Sequence, residues 1–200
     1  MKKLILFAVA VIMFSANIMA ADVFVGVKGG VGASDDNLKD IANSNFYKYE
    51  DNNGILGAEL GFDFNSGASD RLGVKLGFNS YGKTSYEDKT LNSDLLLKNT
   101  IAVPLTAYYK YASNETGLHF WIGGGITWAS LKFQDDRINY GKTKDQIFPH
   151  AAGGVEWRAA KFIGIGLDLN YNFDAKIKSS GMYRDFTGLE GFLAFRLYFS

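Results

Sequence analysis

Two histidines, His119 and His150, are the only residues from which imidazole acid–base chemistry could start. A catalytic histidine needs a nucleophile within hydrogen-bond reach and an acidic partner that orients its ring. Neither has a serine two residues on, where alternation along a strand would place one on the same face. His119 is followed by Phe120 and Trp121, and His150 by Ala151 and Ala152. Ser80 and Ser130 stand elsewhere in the chain. Both rings are therefore expected to be interior groups hydrogen-bonded to neighbours such as Glu156, and no catalytic residue is assigned. The absence of cysteine removes thiol nucleophiles, disulfides and cysteine-based metal sites. Gly26-Val-Lys-Gly-Gly-Val-Gly32 has the glycine density of a phosphate loop but lacks its closing Lys-Ser/Thr, so it reads as strand. Asp35, Asp36, Asp51, Asp135 and Asp136 lack the ligand spacing of a calcium loop. No cofactor or metal is expected.

A different set of residues carries more information. Lys28, Arg71, Lys75, Lys110, Arg158 and Arg196, with Glu59, Asp63, Glu156, Asp168 and Glu190, all fall in the polar phase of period-two alternations. Six cations and five anions nearly cancel. If that phase faces an enclosed interior, leaving the charges unpaired would cost several kcal/mol each, so they are expected to form an ion-paired network that plugs it.

The elements that must position these residues are strands. Eight segments alternate: 22–32, 55–64, 71–81, 99–111, 118–131, 147–158, 162–173 and 189–199. The seventh shows the pattern plainly, with Ile163, Ile165, Leu167, Leu169, Tyr171 and Phe173 against Gly164, Gly166, Asp168, Asn170 and Asn172. Segments of roughly ten residues are long enough to cross a bilayer at a tilt. The connections 33–54, 82–98, 132–146 and 174–188 are long, whereas 65–70, 112–117 and 159–161 are short. Long and short connections thus fall on opposite ends, as in outer-membrane barrels with short periplasmic turns. Pro104 lies inside the fourth segment and predicts a bulge or local distortion there.

Which face meets water follows from composition. The polar phase is rich in glycine, including Gly26, Gly57, Gly61, Gly73, Gly77, Gly164 and Gly166. Small residues suit a narrow eight-stranded lumen and gain nothing on a wetted outer surface. Aromatics of the apolar phase gather at strand ends: Phe62, Phe64, Tyr109, Tyr111, Trp157 and Phe199 at one, Phe78, Trp128, Tyr171 and Phe173 at the other. Two such girdles belong at membrane interfaces. Residues 1–20 read as a secretory signal peptide, with Lys2 and Lys3 before the apolar run Leu4–Phe14 and cleavage expected after Ala20 or Ala21. The expected architecture is all-β: an eight-stranded antiparallel up-and-down transmembrane β-barrel over 21–200, following the signal peptide.

Ile101-Ala-Val-Pro-Leu-Thr-Ala-Tyr-Tyr-Lys-Tyr111, the glycine-rich stretch Trp121–Ile126 and the closing Phe195-Arg-Leu-Tyr-Phe199 resemble the small outer-membrane β-barrel domain family of the OmpA, OmpX and opacity-protein type. The resemblance implies placement in the cell outer membrane and insertion by the barrel assembly machinery through a C-terminal aromatic signal. Ser200 after Phe199 departs from the usual register of that signal. Outer-membrane lipid and lipopolysaccharide are the expected surroundings.

Without Lys2 and Lys3, 19 of the 21 basic residues remain against 21 acidic ones, which excludes an electrostatic nucleic-acid partner. The expected role is non-enzymatic, structural or surface-interacting, through four extracellular loops, with 33–54 and 82–98 as possible surface-ligand contacts. A narrow channel for small or hydrophobic solutes is the alternative, and a lipid A-modifying enzyme a third.

Overall fold

The computed structural model describes residues 21–32, 35–36, 47–51, 53–65, 69–88, 93–112, 114–135, 140–179 and 182–199. The expected signal peptide, 1–20, lies outside the described residues. In chain order the strands are β1 (Ala21–Gly32), β2 (Asp35–Asp36), β3 (Tyr47–Asp51), β4 (Gly54–Asn65), β5 (Asp70–Tyr81), β6 (Thr84–Asp88), β7 (Ser93–Ala112), β8 (Gly117–Asp135), β9 (Tyr140–Ala160), β10 (Ile163–Asn172), β11 (Lys176–Ser179), β12 (Met182–Asp185) and β13 (Gly188–Phe199).

Eight of them, β1, β4, β5, β7, β8, β9, β10 and β13, pair in that order, each antiparallel to the next. The ring closes where β13 returns to β1, from Val23 opposite Phe199 to Gly32 opposite Glu190. Closure gives every spanning strand a partner on both edges, which the bilayer interior demands. The expected eight-stranded up-and-down barrel is the observed one.

Exposure fixes the two faces. Val27, Leu56, Ile122 and Leu167 are 61, 73, 70 and 65 % exposed, whereas Glu156 is fully buried and Arg196 is 2 % exposed. The apolar phase therefore points outward to lipid and the charged phase inward, as the glycine distribution implied. On the outside Tyr171 and Phe173 meet edge-on at 4.9 Å in the girdle of the loop end.

The long connections differ from expectation in their content. β7, β8 and β9 run for 20, 19 and 21 residues, twice what a bilayer crossing needs. Much of 82–98 and 132–146 is therefore strand projecting past the membrane, with β6 paired to the start of β7 and β3 paired to β6. Burial explains the extension. Leu131, Phe133 and Phe148 are buried on the inner face of the β8–β9 hairpin, against residues contributed by the last connection. There β11 and β12 form a hairpin that joins β2 in a separate three-stranded sheet. Ala175, Ile177 and Phe186 belong to the same buried cluster as Leu131, Phe133 and Phe148. The barrel mouth is thus filled by an apolar plug.

Pro104 causes no shift of register. Leu76–Leu105 and Asn79–Ala102 pair in one continuous alignment, and only the two positions between them, Gly77 and Phe78, drop out of the β5–β7 ladder. A proline ring cannot donate to the ladder. Here it turns into the lumen over Gly77, where a side-chain carbon would come within 2.8 Å of the ring. The bulge of β7 lies higher, between Lys98 and Ile101.

Candidate functional site

The lumen is the candidate site, and register explains how so many long side chains fit inside it. Gly26 is the cross-strand partner of both Glu59 and Arg196, and Gly164 is the partner of both Arg196 and Arg158. Charged residues and glycines therefore alternate along one hydrogen-bonded row, Glu59–Gly26–Arg196–Gly164–Arg158. Each glycine leaves room for the flanking side chains to lean across it. A side-chain carbon at Gly26 would lie 3.1 Å from Glu59 Cγ and 3.2 Å from Arg196 Cγ.

Arg196 is the hub. Its Nε donates to Glu59 Oε1 at 2.5 Å, its Nη1 to Glu156 Oε2 at 2.9 Å, and its Nη2 to Asp168 Oδ2. A guanidinium has donors enough for three carboxylates in fixed directions, which an ammonium lacks. Lys75 adds ion pairs to Asp168 at 3.4 Å and Glu59 at 3.8 Å, with its ammonium 3.6 Å from the centre of the Trp121 ring.

Toward the periplasmic end a second group forms. Lys110 donates to Asp63 at 2.7 Å and to the Tyr198 hydroxyl at 3.2 Å. Tyr108 also donates to Asp63. Tyr198 donates to Glu156, 2.8 and 2.7 Å from its two oxygens, and Arg158 stacks 3.5 Å above the Tyr198 ring. Arg158 reaches Asp63 and Asp22, each at 3.5 Å, and Arg71 also pairs with Asp22. Outside the membrane, at the periplasmic turns, Lys161 lies 2.5 Å from Glu115. Its hydrogen bond holds that carboxyl below the usual glutamate range.

Toward the outer end Glu190 accepts from Tyr81 at 2.6 Å and from Asn170 at 3.1 Å. Lys28 stands apart, with its ammonium 4.4 Å from the Phe192 ring centre. Among the described residues no carboxylate lies within ion-pair distance of it. It lines a chamber of about 20 Å³ together with Glu59, Asn79 and Asp168, room for about one water. Glu59 Oε2, Asn79 Oδ1 and Asp168 Oδ1 are buried there without a protein hydrogen bond.

Of the eleven charges singled out in the sequence, nine enter ion pairs with one another or with Asp22; Glu190 and Lys28 do not among the described residues. Asp22 was missed, although it shares the phase of Phe24 and Lys28 on β1. With it the lumen carries six cations and six anions. Tyr81, Tyr108 and Tyr198 were not singled out as network members: alternation puts Tyr108 and Tyr198 in the polar phase with Lys110 and Arg196, but it does not show that their hydroxyls, or that of Tyr81, meet carboxylates of other strands.

The histidines sit in the same lumen. His150 has Thr106 Oγ1 at 2.9 Å from Nε2 and Thr127 Oγ1 at 2.9 Å from Nδ1, with no carboxylate in contact among the described residues. His119 contacts the Asn114 carbonyl at 2.9 Å and lies 3.8 Å from Glu156. Glu156 is thus a neighbour of one ring, and two threonines hold the other. No group of three or more metal-ligating side chains gathers among the described residues.

The family model described as an outer membrane protein beta-barrel domain matches residues 6–192. No curated protein matches the sequence. Among solved structures, similarity extends to Ail, the attachment invasion locus protein of Yersinia pestis, in complex with the heparin analogue sucrose octasulfate. That match has 10 % identity, a TM-score of 0.56, and covers 90 % of this chain and 100 % of Ail. The N-terminal β-barrel domain of Pseudomonas aeruginosa OprF matches with 9 % identity and a TM-score of 0.54, covering 89 % of this chain and 97 % of that one. OprG of Pseudomonas aeruginosa gives 13 % identity, a TM-score of 0.53 and coverage of 90 and 96 %. At these identities the likeness is one of fold.

Proposed function

The chain belongs to the outer-membrane β-barrel domain family and resides in the outer membrane with its apolar face in lipid, and from that premise we propose that it is a sealed, non-enzymatic scaffold acting through its extracellular strands. The observation that carries this reading is double occlusion of the bore. The ion-paired lumen closes the membrane level, where the chamber at Lys28 holds only about 20 Å³. The cluster containing Leu131, Ile177 and Phe186 closes the mouth above it. Rigid β-structure meanwhile continues outward through β3, β6 and the ends of β7–β9, and such projections on a rigid scaffold are where recognition usually lives. His150 supports the non-enzymatic reading, because both ring nitrogens are engaged by threonines inside the lumen and no acid among the described residues contacts it. The segments 33–54 and 82–98 are the proposed contact surface for a ligand. Insertion by the barrel assembly machinery is proposed with it.

Two measurements test this together. Purified protein in planar bilayers is expected to be electrically silent, and steady conductance would favour the narrow-channel alternative instead. Cells producing a variant with 37–51 replaced by a short turn are expected to lose surface binding to host cells or matrix while keeping normal outer-membrane levels. Unchanged binding would remove that segment from the proposal. Unaltered lipid A in cells lacking the protein is the expected result against the enzyme reading.

A further inference from the structure

Donors and acceptors are mismatched where Lys28 of β1, Glu59 of β4, Asn79 of β5 and Asp168 of β10 line one chamber of the lumen. The Lys28 ammonium carries three donors, and no carboxylate lies within ion-pair distance of it among the described residues. Its Nζ stands 4.4 Å from the Phe192 ring centre and would lie 3.8 Å from a side-chain carbon at Gly77. Phe192 and Gly77 line the same chamber. Glu59 Oε2, Asn79 Oδ1 and Asp168 Oδ1 are buried there without a protein hydrogen bond. The residues that carry them are 5, 2 and 4 % exposed, so bulk solvent does not serve these oxygens. Three acceptors thus lack donors beside an ammonium whose donors lack carboxylates.

Size and charge select what can join them. A water needs roughly 10–15 Å³ and two to four polar partners, and the chamber offers about 20 Å³. A metal cation is disfavoured, because Lys28, Lys75 and Arg196 already face Glu59, Asp168 and Glu156 there. A further positive charge would stand beside Lys28 with no counter-charge of its own. An anion would meet three acceptor oxygens. What fits is a small neutral molecule with two donors that also accepts, and water is one. Two hydrogen bonds of about 2.8 Å in series bridge a separation that a direct ion pair cannot.

We propose that this chamber is a binding site for a single water that links the Lys28 ammonium to Glu59 Oε2 and Asp168 Oδ1. The water accepts from Lys28 and donates to the two carboxylates. Asn79 Oδ1 is left for a second proton of the same ammonium. Gly57 shows that the two are close, since a side-chain carbon there would lie 3.1 Å from Lys28 Cε and 2.6 Å from Asn79 Oδ1. Through the water Lys28 gains the carboxylate partners that the other lumen cations reach directly, and β1 is tied to β10, which is not its neighbour in the barrel. The site rests on the charged lumen alone and is independent of the sealed-scaffold reading.

The test is a crystal structure of the protein grown from a lipid phase, with a second crystal soaked in thallium(I). One peak is expected within hydrogen-bond distance of Lys28 Nζ, Glu59 Oε2 and Asp168 Oδ1, with no anomalous signal from thallium. Water–proton cross-relaxation in nanodiscs, read by NMR at the Trp121 indole N–H and the Asn79 side-chain amide, is expected to report a water held at the same place. Lys28→Arg, whose guanidinium reaches further, is expected to displace the water and to leave the folding equilibrium constant unchanged. Lys28→Met, which keeps the stem and removes the donors, is expected to lower that constant about ten-fold, the scale of stranding a buried acceptor. Heat-dependent migration on gels confirms that each variant is folded. A chamber with neither a peak nor cross-relaxation would overturn the proposal. A thallium peak would show a cation site in place of a water site and would equally overturn it. Full stability of Lys28→Met, or a peak that persists in Lys28→Arg, would refute the bridge to Lys28.

Discussion

Arg196 shows what a single residue does in this lumen. It satisfies Glu59, Glu156 and Asp168 at once, so its loss leaves Lys75 as the one cation paired with both Glu59 and Asp168 among the described residues, and leaves Glu156 to Tyr198, Lys110 and Arg158. Removing one member of a buried pair typically costs about 3–5 kcal/mol. Arg196→Met is expected to lower unfolding stability by at least that amount, read from urea titration of the protein in lipid vesicles by tryptophan fluorescence. Arg196→Lys should recover only part, because an ammonium cannot reproduce the three-way fork. The double variant Arg196→Met/Glu59→Gln should be less destabilised than the sum of its single changes, since each removes a charge the other leaves unpaired. Strict additivity would show that the network is a set of independent contacts. Asp22 belongs to this scale as well. Its pairs with Arg71 and Arg158 tie the first residues of β1 to strands across the bore.

At the scale of the strand, one position can face lipid and the next a charge. Leu167 is 65 % exposed to lipid and its neighbour Asp168 is 4 % exposed in the lumen. Leu167→Arg is expected to cost roughly 2–4 kcal/mol near the bilayer midplane and to reduce the folded fraction on insertion into vesicles. Asn170→Ala, which removes donors to Glu190 and Asn172, should cost about 1 kcal/mol, the net worth of a typical hydrogen bond. Equal tolerance at both positions would overturn the face assignment. These faces were legible in the sequence because alternation over ten residues leaves little freedom of phase: each strand such as β10 or β13 must turn its leucines and phenylalanines outward together. The extensions of β8 and β9 were not legible. Lys132, Thr143, Lys144 and Asp145 give that stretch the composition of a solvated loop, and the residues that hold it as strand, Leu131, Phe133 and Phe148, find their partners in the distant β11–β12 hairpin. The ion partners were equally hidden. Alternation places Arg196 and Glu59 in the bore, but only the register through Gly26 makes them neighbours. Pro104 was legible in part: the ladder is interrupted opposite it at Gly77 and Phe78, the local distortion expected of a residue without an amide donor, but its ring fits over Gly77 and the strand keeps its register without a bulge.

For the whole molecule, the consequence of this arrangement is two barriers in series. The mouth is filled by apolar side chains that the β11–β12 hairpin brings in, with Arg184 fully buried beside them and bonded to the Gly82 carbonyl at 2.8 Å. The membrane level is filled by charge. The two barriers fail for different reasons, one by loss of buried apolar contacts and the other by loss of ion pairing. Replacing Lys176–Asp185 with a short turn is therefore expected to leave planar bilayers silent, because Arg196, Lys75 and their carboxylates still block the bore. Lys75→Ala with Arg196→Ala should also remain silent while the hairpin is in place. Only the combination is expected to give measurable conductance. Its selectivity should favour cations, since Glu59, Glu156 and Asp168 would then line the bore without Lys75 and Arg196. Conductance from the hairpin replacement alone would show that the charged network leaks and that the mouth is the sole seal. Conductance from the charge variant alone would assign the seal to the network. Silence in the combined variant would mean that the aromatic residues Phe24, Tyr108, Trp121 and Tyr198, clustered inside the lumen, close the bore without help from either.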